Sequence, residues 1–266
     1  MKTLSRIYTA LIFLFLYSPI AVLIIFSFNN SKNRVKWHGF TLKWYADLFQ
    51  NELILESLKI TLEIAVLAAV VSTIIGTLAA IGIHSMNGRL KQTFLAVNNI
   101  PMINPEIVTG VSMMLMFVFA FRLTGLFRPG FLTLLLSHIT FCIPYVVLQV
   151  MPKLRQMNSH LYEAAVDLGC PPIRAFFRVV LPEIMPGVIT GALMAFTMSL
   201  DDFIISYFNA GSTAQTLSIT IFSMTKKPMT PEINALSTLM FGTVMLLLVI
   251  VNLRQIREGS QKKKTA

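Results

Sequence analysis

Residues 151–186 read MPKLRQMNSHLYEAAVDLGCPPIRAFFRVVLPEIMP, amphipathic, rich in arginine and proline, and too polar to lie in lipid. Apolar segments long enough to cross a bilayer flank it, from about Phe131 to Val150 and from Gly187 to Phe208. Inside the stretch, Asn158 or Ser159 suits the N-cap of a short helix through Leu168, and Gly169 suits its left-handed end. Pro171 and Pro172 then suit the start of a second helix running into Leu181–Pro182. The expectation is a hairpin of two short helices on one side of a membrane. Such a hairpin faces water or another protein.

The rest of the chain agrees with a membrane setting. Of its 266 residues 55% are hydrophobic and only 13% charged, with a mean hydropathy of +0.70. A soluble domain cannot hide that much apolar surface. The net charge of +10 is explained by lysine and arginine gathering at the cytoplasmic boundary, so nucleic acid is not expected as a partner. Cys142 and Cys170 lie in no paired motif, which leaves no disulfide framework or thiolate metal site.

Six spans follow in order. The first, Ile7 to Phe28, follows Lys2 and Arg6, exceeds a signal-peptide core and lacks a small-x-small cleavage site, so it reads as an uncleaved span. A loop follows, whose Trp37, Trp44 and Tyr45 suit an interfacial aromatic belt. The second span, about Ile60 to His84, carries Ala65, Ala69, Ser72, Gly76 and Ala80 at helical spacing, a smooth face for close packing in a bundle. The third is interrupted: a short helix or reentrant turn near Lys91 to Met102 precedes a helix from Pro105 to Phe121, with Asn104 as its cap and Glu106 at its positive end. The fourth and fifth spans are those flanking the hairpin. Ala210 to Glu232 returns as a loop, and a sixth span runs from Ile233 to Leu253 before a basic tail. The division is a first span with its outer loop over 1–56, a core of the remaining spans over 57–255 and a tail over 256–266. Lys2, Arg6 and the tail place both termini in the cytoplasm, and the hairpin with them.

Ionisable groups in spans mark function, since each costs about 2.5–3.5 kcal/mol at a helix centre. Asp201 and Asp202 are adjacent and so point about 100° apart on one helix. Ser199, Asp202, Ser206 and Asn209 then form one polar stripe, while Asp201 aligns with Thr197 and Ile205. Asp202 is the first choice for contact with a cation and Asp201 the second; each could instead pair with a partner subunit's arginine and only hold the bundle. Glu106 is either a ligand or a helix-start residue, and Tyr207 and Tyr145 either stack on an ammonium group or anchor at the interface. His84, His138 and His160 have no metal-ligand spacing and read as structural, His38 is expected in the outer loop without a partner, and no metal site is expected. No Ser/His or His-Glu-x-x-His arrangement appears in a span, so no catalytic residues are expected. The chain has no Gly-x4-Gly-Lys-Ser/Thr loop, and hence no recognisable ATP site.

Glu163, Ala164, Ala165, Gly169, Leu181 and Pro182 stand at the spacing of a known motif, and EAAVDLGCPPIRAFFRVVLP resembles the EAA loop of bacterial binding-protein-dependent ABC importers. FCIPYVVLQVMPKL, SLDDFIISYF and TLSITIFSMTKKPMTPEINALST are similar to segments of spermidine/putrescine importer permeases of the PotC type. That resemblance implies an all-α membrane protein with the type I ABC importer permease fold, in the bacterial inner membrane. It also implies a related PotB-type permease as partner, two copies of a cytoplasmic ATPase that uses ATP and Mg, and an extracytoplasmic polyamine-binding protein. The chain itself would bind no cofactor and be no enzyme. In that family the EAA loop docks into the ATPase. Substrate-path candidates are Asp202, Asp201, Ser206, Ser199, Glu106 and Tyr207. The rival readings are an ABC permease for another solute, such as an iron chelate or other organic cation, and an ion-coupled secondary carrier using Asp201 or Asp202.

Overall fold

The computed structural model describes residues 2–31, 36–158, 160–226 and 231–262. Its regular structure is helical apart from one isolated antiparallel bridge between Asn29 and Phe40. In chain order the helices are α1 (Lys2–Ser27), α2 (Lys43–Gln50), α3 (Glu52–Ser85), α4 (Gly88–Ile103), α5 (Glu106–Thr124) and α6 (Phe131–Gln156). There follow α7 (His160–Asp167), α8 (Pro172–Ala175), a π-helical turn (Phe176–Val180), α9 (Leu181–Asp201), α10 (Ile204–Asn209), α11 (Leu217–Thr225) and α12 (Pro231–Lys262). Among the described residues, five helices are long and apolar enough to cross a membrane: Arg6–Ser27, Glu52–Ser85, Glu106–Thr124, Phe131–Gln156 and Pro172–Asp201. Within α12, Glu232–Leu246 adds a shorter sixth apolar segment.

The chain forms two compact units, Met1–Glu56 with Thr220–Ala266, and Ser57–Ile219. In the first, α12 packs against α1 and α2. The segment leaving α1 is tied down by Asn29, whose side-chain amide donates to the Lys36 carbonyl at 2.9 Å and accepts from the His38 N–H at 2.9 Å. The Asn29 carbonyl accepts from the Trp44 indole at 2.8 Å. This corrects the interfacial expectation for Trp44: it is buried, because the indole N–H has found a carbonyl that removes its desolvation cost. Tyr45 is tied in alongside it, its hydroxyl 2.7 Å from that of Ser27.

The second unit is built on α3, α6 and α9. All five small residues singled out on α3 are buried, and a Cβ on Gly76 would stand 2.7 Å from the Val146 Cβ of α6. The smooth face of α3 is thus spent on close approach to α6. Gly76→Val is expected to destabilise the permease by about 1–3 kcal/mol through overpacking, seen as a lower aggregation temperature in detergent. Gly82→Ala, where an added Cβ meets nothing within 4 Å, is the control that leaves it unchanged.

The α6 and α9 helices run antiparallel and meet rung by rung. A Cβ on Gly187 would reach the Gln149 carbonyl at 2.9 Å, one on Gly191 would reach Val146 at 3.2 Å, and the Cys142 thiol lies 3.4 Å from the Ala195 carbonyl. The buried stripe along the continuous helix Pro172–Asp201 is Ala175, Val180, Ile184, Gly187, Gly191, Ala195 and Ser199, of which the α9 members make the seam. Its steps are of three or four residues except for the five from Ala175 to Val180, where the π-helical turn lies. The wide turn absorbs one extra residue and keeps both ends of the stripe on one face.

Four sequence expectations are corrected. The second hairpin helix does not stop at Leu181–Pro182: Pro172 to Asp201 is one continuous apolar helix, and Pro182, which lacks the N–H of an α-helical ladder, follows closely on the π-helical turn at Phe176–Val180. Asn104 does not cap α5. Pro105 holds the cap position, and Asn104, driven extended as the residue before a proline, ends α4 instead. The outer loops contain helices, α2 in the first and the apolar α11 in the 210–232 segment. The fifth span breaks before Phe208. Ser159 as an alternative cap, Lys227 and Lys263–Lys264 lie outside the described residues; Asn158 takes the cap role, its side chain accepting from the His160 N–H at 3.0 Å.

Candidate functional site

Two places carry chemistry that packing alone does not require. The first is the break in the fifth span. Helix α9 ends at Asp201, and Asp202 turns extended (φ −65°, ψ 127°) before α10 begins at Ile204. An interrupted helix exposes free carbonyls at one end and free amides at the other, and apolar surroundings offer them no water. Asp202 meets the amide side: its carboxylate accepts from the Ser206 N–H at 2.7 Å and the Ile205 N–H at 3.4 Å. That makes it the working cap of α10. The stripe expected from Ser199 to Asn209 therefore does not lie on one helix; its members gather around a joint.

A histidine from α6 enters the same joint. His138, 1% exposed, has Nδ1 2.7 Å from the Ser199 hydroxyl and Nε2 3.0 Å from the Ser206 hydroxyl. Its Nε2 stands 3.7 Å from the Asp202 carboxylate. Further along α10, the Asn209 side-chain amide donates to the Gly110 carbonyl of α5 at 3.2 Å, and the Thr133 hydroxyl of α6 donates to the Asn209 carbonyl at 2.9 Å. Two helices, α5 and α6, thus hold a segment of six residues.

Access separates the candidates. Asp202, Ser199 and Ser206 are buried, whereas Asp201, Tyr207 and Glu106 are exposed. Asp201 stands in the last turn of α9, where the dipole adds negative potential and the last carbonyls have no intrahelical partner. At the break, then, Asp201 is the exposed carboxylate and Asp202 the buried one. Glu106 begins α5, at the positive helix end. Sequence reading gave His138 a structural role without its partners, which lie 61 and 68 residues away. It also missed the break, although an aspartate ahead of Phe-Ile-Ile-Ser carries an N-cap signal.

The second place is the polar hairpin. Helix α7 closes with the Cys170 N–H on the Ala165 carbonyl at 3.1 Å and the Gly169 N–H on the Val166 carbonyl at 2.9 Å. These are the two bonds of a Schellman cap, and Gly169 takes the left-handed φ of 84° that it needs. The turn lifts apolar side chains away from the chain: Leu168 is 89% exposed and Ile173 73%. Glu163 stands exposed in the first turn of α7, with Ala164 exposed beside it. Leu181 and Pro182 open α9. Exposed leucine and isoleucine on a capped, proline-flanked hairpin make a surface for a protein partner.

Several apolar helices and a polar hairpin between two of them define a membrane protein of the ABC importer permease fold. The fold matches the crystal structure of a bacterial ABC transporter involved in the import of the acidic polysaccharide alginate, with a TM-score of 0.72 at 16% identity, over 96% of this chain and 94% of that one. Residues 72–255 match the family of binding-protein-dependent transport system inner membrane components, and the chain belongs to that family. It is 40% identical over 235 residues to the putrescine transport system permease protein PotI of Escherichia coli, covering 87% of this chain and 83% of that protein. It is 36% identical over 253 residues to the spermidine/putrescine transport system permease protein PotC of Haemophilus influenzae, covering 95% of both. The protein is a multi-pass membrane permease of a binding-protein-dependent transport system.

Proposed function

We propose that this permease carries polyamines, spermidine and putrescine, into the cell by alternating access. The observation that carries the reading is the 36–40% identity, over nearly the whole chain, to permeases named for those substrates. The exposed carboxylate of Asp201 at the negative end of α9 supports it, because a polycation needs an anionic foothold within the span. Asp201, Glu106 and Tyr207 are the residues proposed to meet substrate. Asp202, Ser199 and Ser206 are proposed to shape the path from behind, and this departs from an order that put Asp202 first. The chain does no bond-breaking chemistry of its own and binds no cofactor. ATP and Mg are used by two copies of a separate ATPase, which the hairpin engages through Glu163, Ala164, Ala165 and the Gly169 turn. A PotB-type permease completes the pathway, an extracytoplasmic binding protein delivers the substrate, and both termini and the hairpin lie in the cytoplasm.

The test is uptake of labelled spermidine by cells that lack their own polyamine importers and express this chain with its neighbouring transport genes. Saturable uptake competed by unlabelled putrescine is expected. Uptake of an iron chelate or another organic cation in its place, with no spermidine transport, would overturn the polyamine reading.

A further inference from the structure

We infer that His138 is a positioning residue, a staple from α6 that joins the two halves of the broken fifth span and so fixes Asp201 at the break. The claim that this staple serves transport rests on the polyamine reading above; the staple itself does not. Three observations carry it. The imidazole reaches across the break rather than along one element: Ser199 lies in the last turn of α9 and Ser206 in the first turn of α10. Both ring nitrogens are engaged, at 2.7 and 3.0 Å, each by a serine hydroxyl. Water offers no substitute, since His138 is 1%, Ser199 3% and Ser206 0% exposed.

A buried histidine satisfied by hydroxyls is more often a core residue than a device. What separates this one is its place on the seam. The α6–α9 rungs run from Gly187 through Gly191 and Ala195, and His138 is the rung at which α9 stops. Without its second bond α10 would be held by its cap and by Asn209, but not in line with α9. With it, α9, α10 and α6 move as one piece, and the direction in which Asp201 points is set by α6. An α6 shift started at its hairpin end would then be delivered to the carboxylate.

Amide hydrogen exchange of the purified permease in lipid nanodiscs reads the staple without any cargo. His138→Leu is expected to speed exchange about tenfold or more across residues 203–209, where the Ser206 and Ile205 amides sit, and to leave α3 and the rest of α6 unchanged. His138→Asn places an amide near the Nδ1 position and His138→Gln near Nε2, so each is expected to recover part of the protection. The Ser199→Ala/Ser206→Ala double variant should reproduce the leucine result, and it keeps the question open to test if His138→Leu does not fold. In the transport assay the maximal rate of His138→Leu should fall about tenfold with the half-saturating spermidine concentration within twofold, the pattern of a residue that acts through others. Unchanged exchange over 203–209, or an increase spread evenly through the chain, would make His138 a packing residue and overturn the staple. A wild-type protein that does not carry spermidine would overturn the polyamine reading and leave the exchange comparison standing.

Discussion

Glu163→Lys is expected to strip the ATPase from the purified complex and to abolish uptake, while the permease itself still folds. Two magnitudes decide this. Within the chain the substitution is mild: Glu163 and its neighbour His160, 3.2 Å away, have side chains 69% and 82% exposed, so their pairing contributes little. Placing a cation in the first turn of α7 costs about 0.3–1 kcal/mol against the helix dipole, too little to unfold the unit. At a docked surface the same change is larger, because a truncated or reversed charge in a desolvated contact costs about 2–5 kcal/mol, or about thirtyfold in affinity at the lower end. Co-purification of the ATPase reads the outcome directly. Glu163→Gln, which keeps the shape and removes the charge, should fall between the two. Full ATPase recovery with normal uptake in Glu163→Lys would remove the hairpin from its proposed docking role. Leu168→Asp offers an independent arm. Leu168 is the most exposed of the hairpin's apolar residues and makes no packing contribution to lose, so a defect there reports the partner and not the fold.

The first hairpin helix, its Gly169 turn and the proline start of the second helix survived from sequence to structure because their signals are local. A glycine that must turn left-handed, prolines that open a helix and a polar run between apolar ones all act within a few residues. The small face of α3 was legible for the same reason, since a helical period maps spacing onto a face whatever lies opposite. What stayed hidden depends on partners far along the chain. Trp44 looked like an interface aromatic until the Asn29 carbonyl was found beside it, 15 residues back. The polar stripe from Ser199 to Asn209 was drawn on an unbroken helix, and only the meeting of α6 with the break shows why those hydroxyls are there. His138 had no sequence signal at all, because a histidine in an apolar run reads the same whether it packs or bridges. The break itself was legible in principle. The capping logic applied to Asn104–Pro105–Glu106 applies equally to Asp202 and the Phe203-to-Ser206 run that follows it, and there it fits better.

That reassignment makes the two aspartates separable by experiment. Asp201→Asn is expected to abolish spermidine uptake with the complex fully assembled, because Asp201 is exposed and its removal leaves no buried group unpaired. Asp202→Ala is expected to lose uptake for a different reason. It takes the cap from α10, a loss of about 0.5–2 kcal/mol. Because the site is buried, the Ile205 and Ser206 amides that lose this carboxylate find no water in its place, which raises the cost to about 1–3 kcal/mol for each unsatisfied donor. The yield of assembled complex should therefore drop together with uptake. Asp202→Asn discriminates between capping and charge, since the asparagine oxygen still accepts from the Ser206 N–H while the negative charge is gone. Substantial uptake in Asp202→Asn, with none in Asp201→Asn at equal assembly, is the pattern expected when Asp202 builds the joint and Asp201 faces the cargo. The opposite pattern, an inactive but fully assembled Asp202→Asn beside an active Asp201→Asn, would return the cation to the buried carboxylate and require the joint around His138 to open during transport.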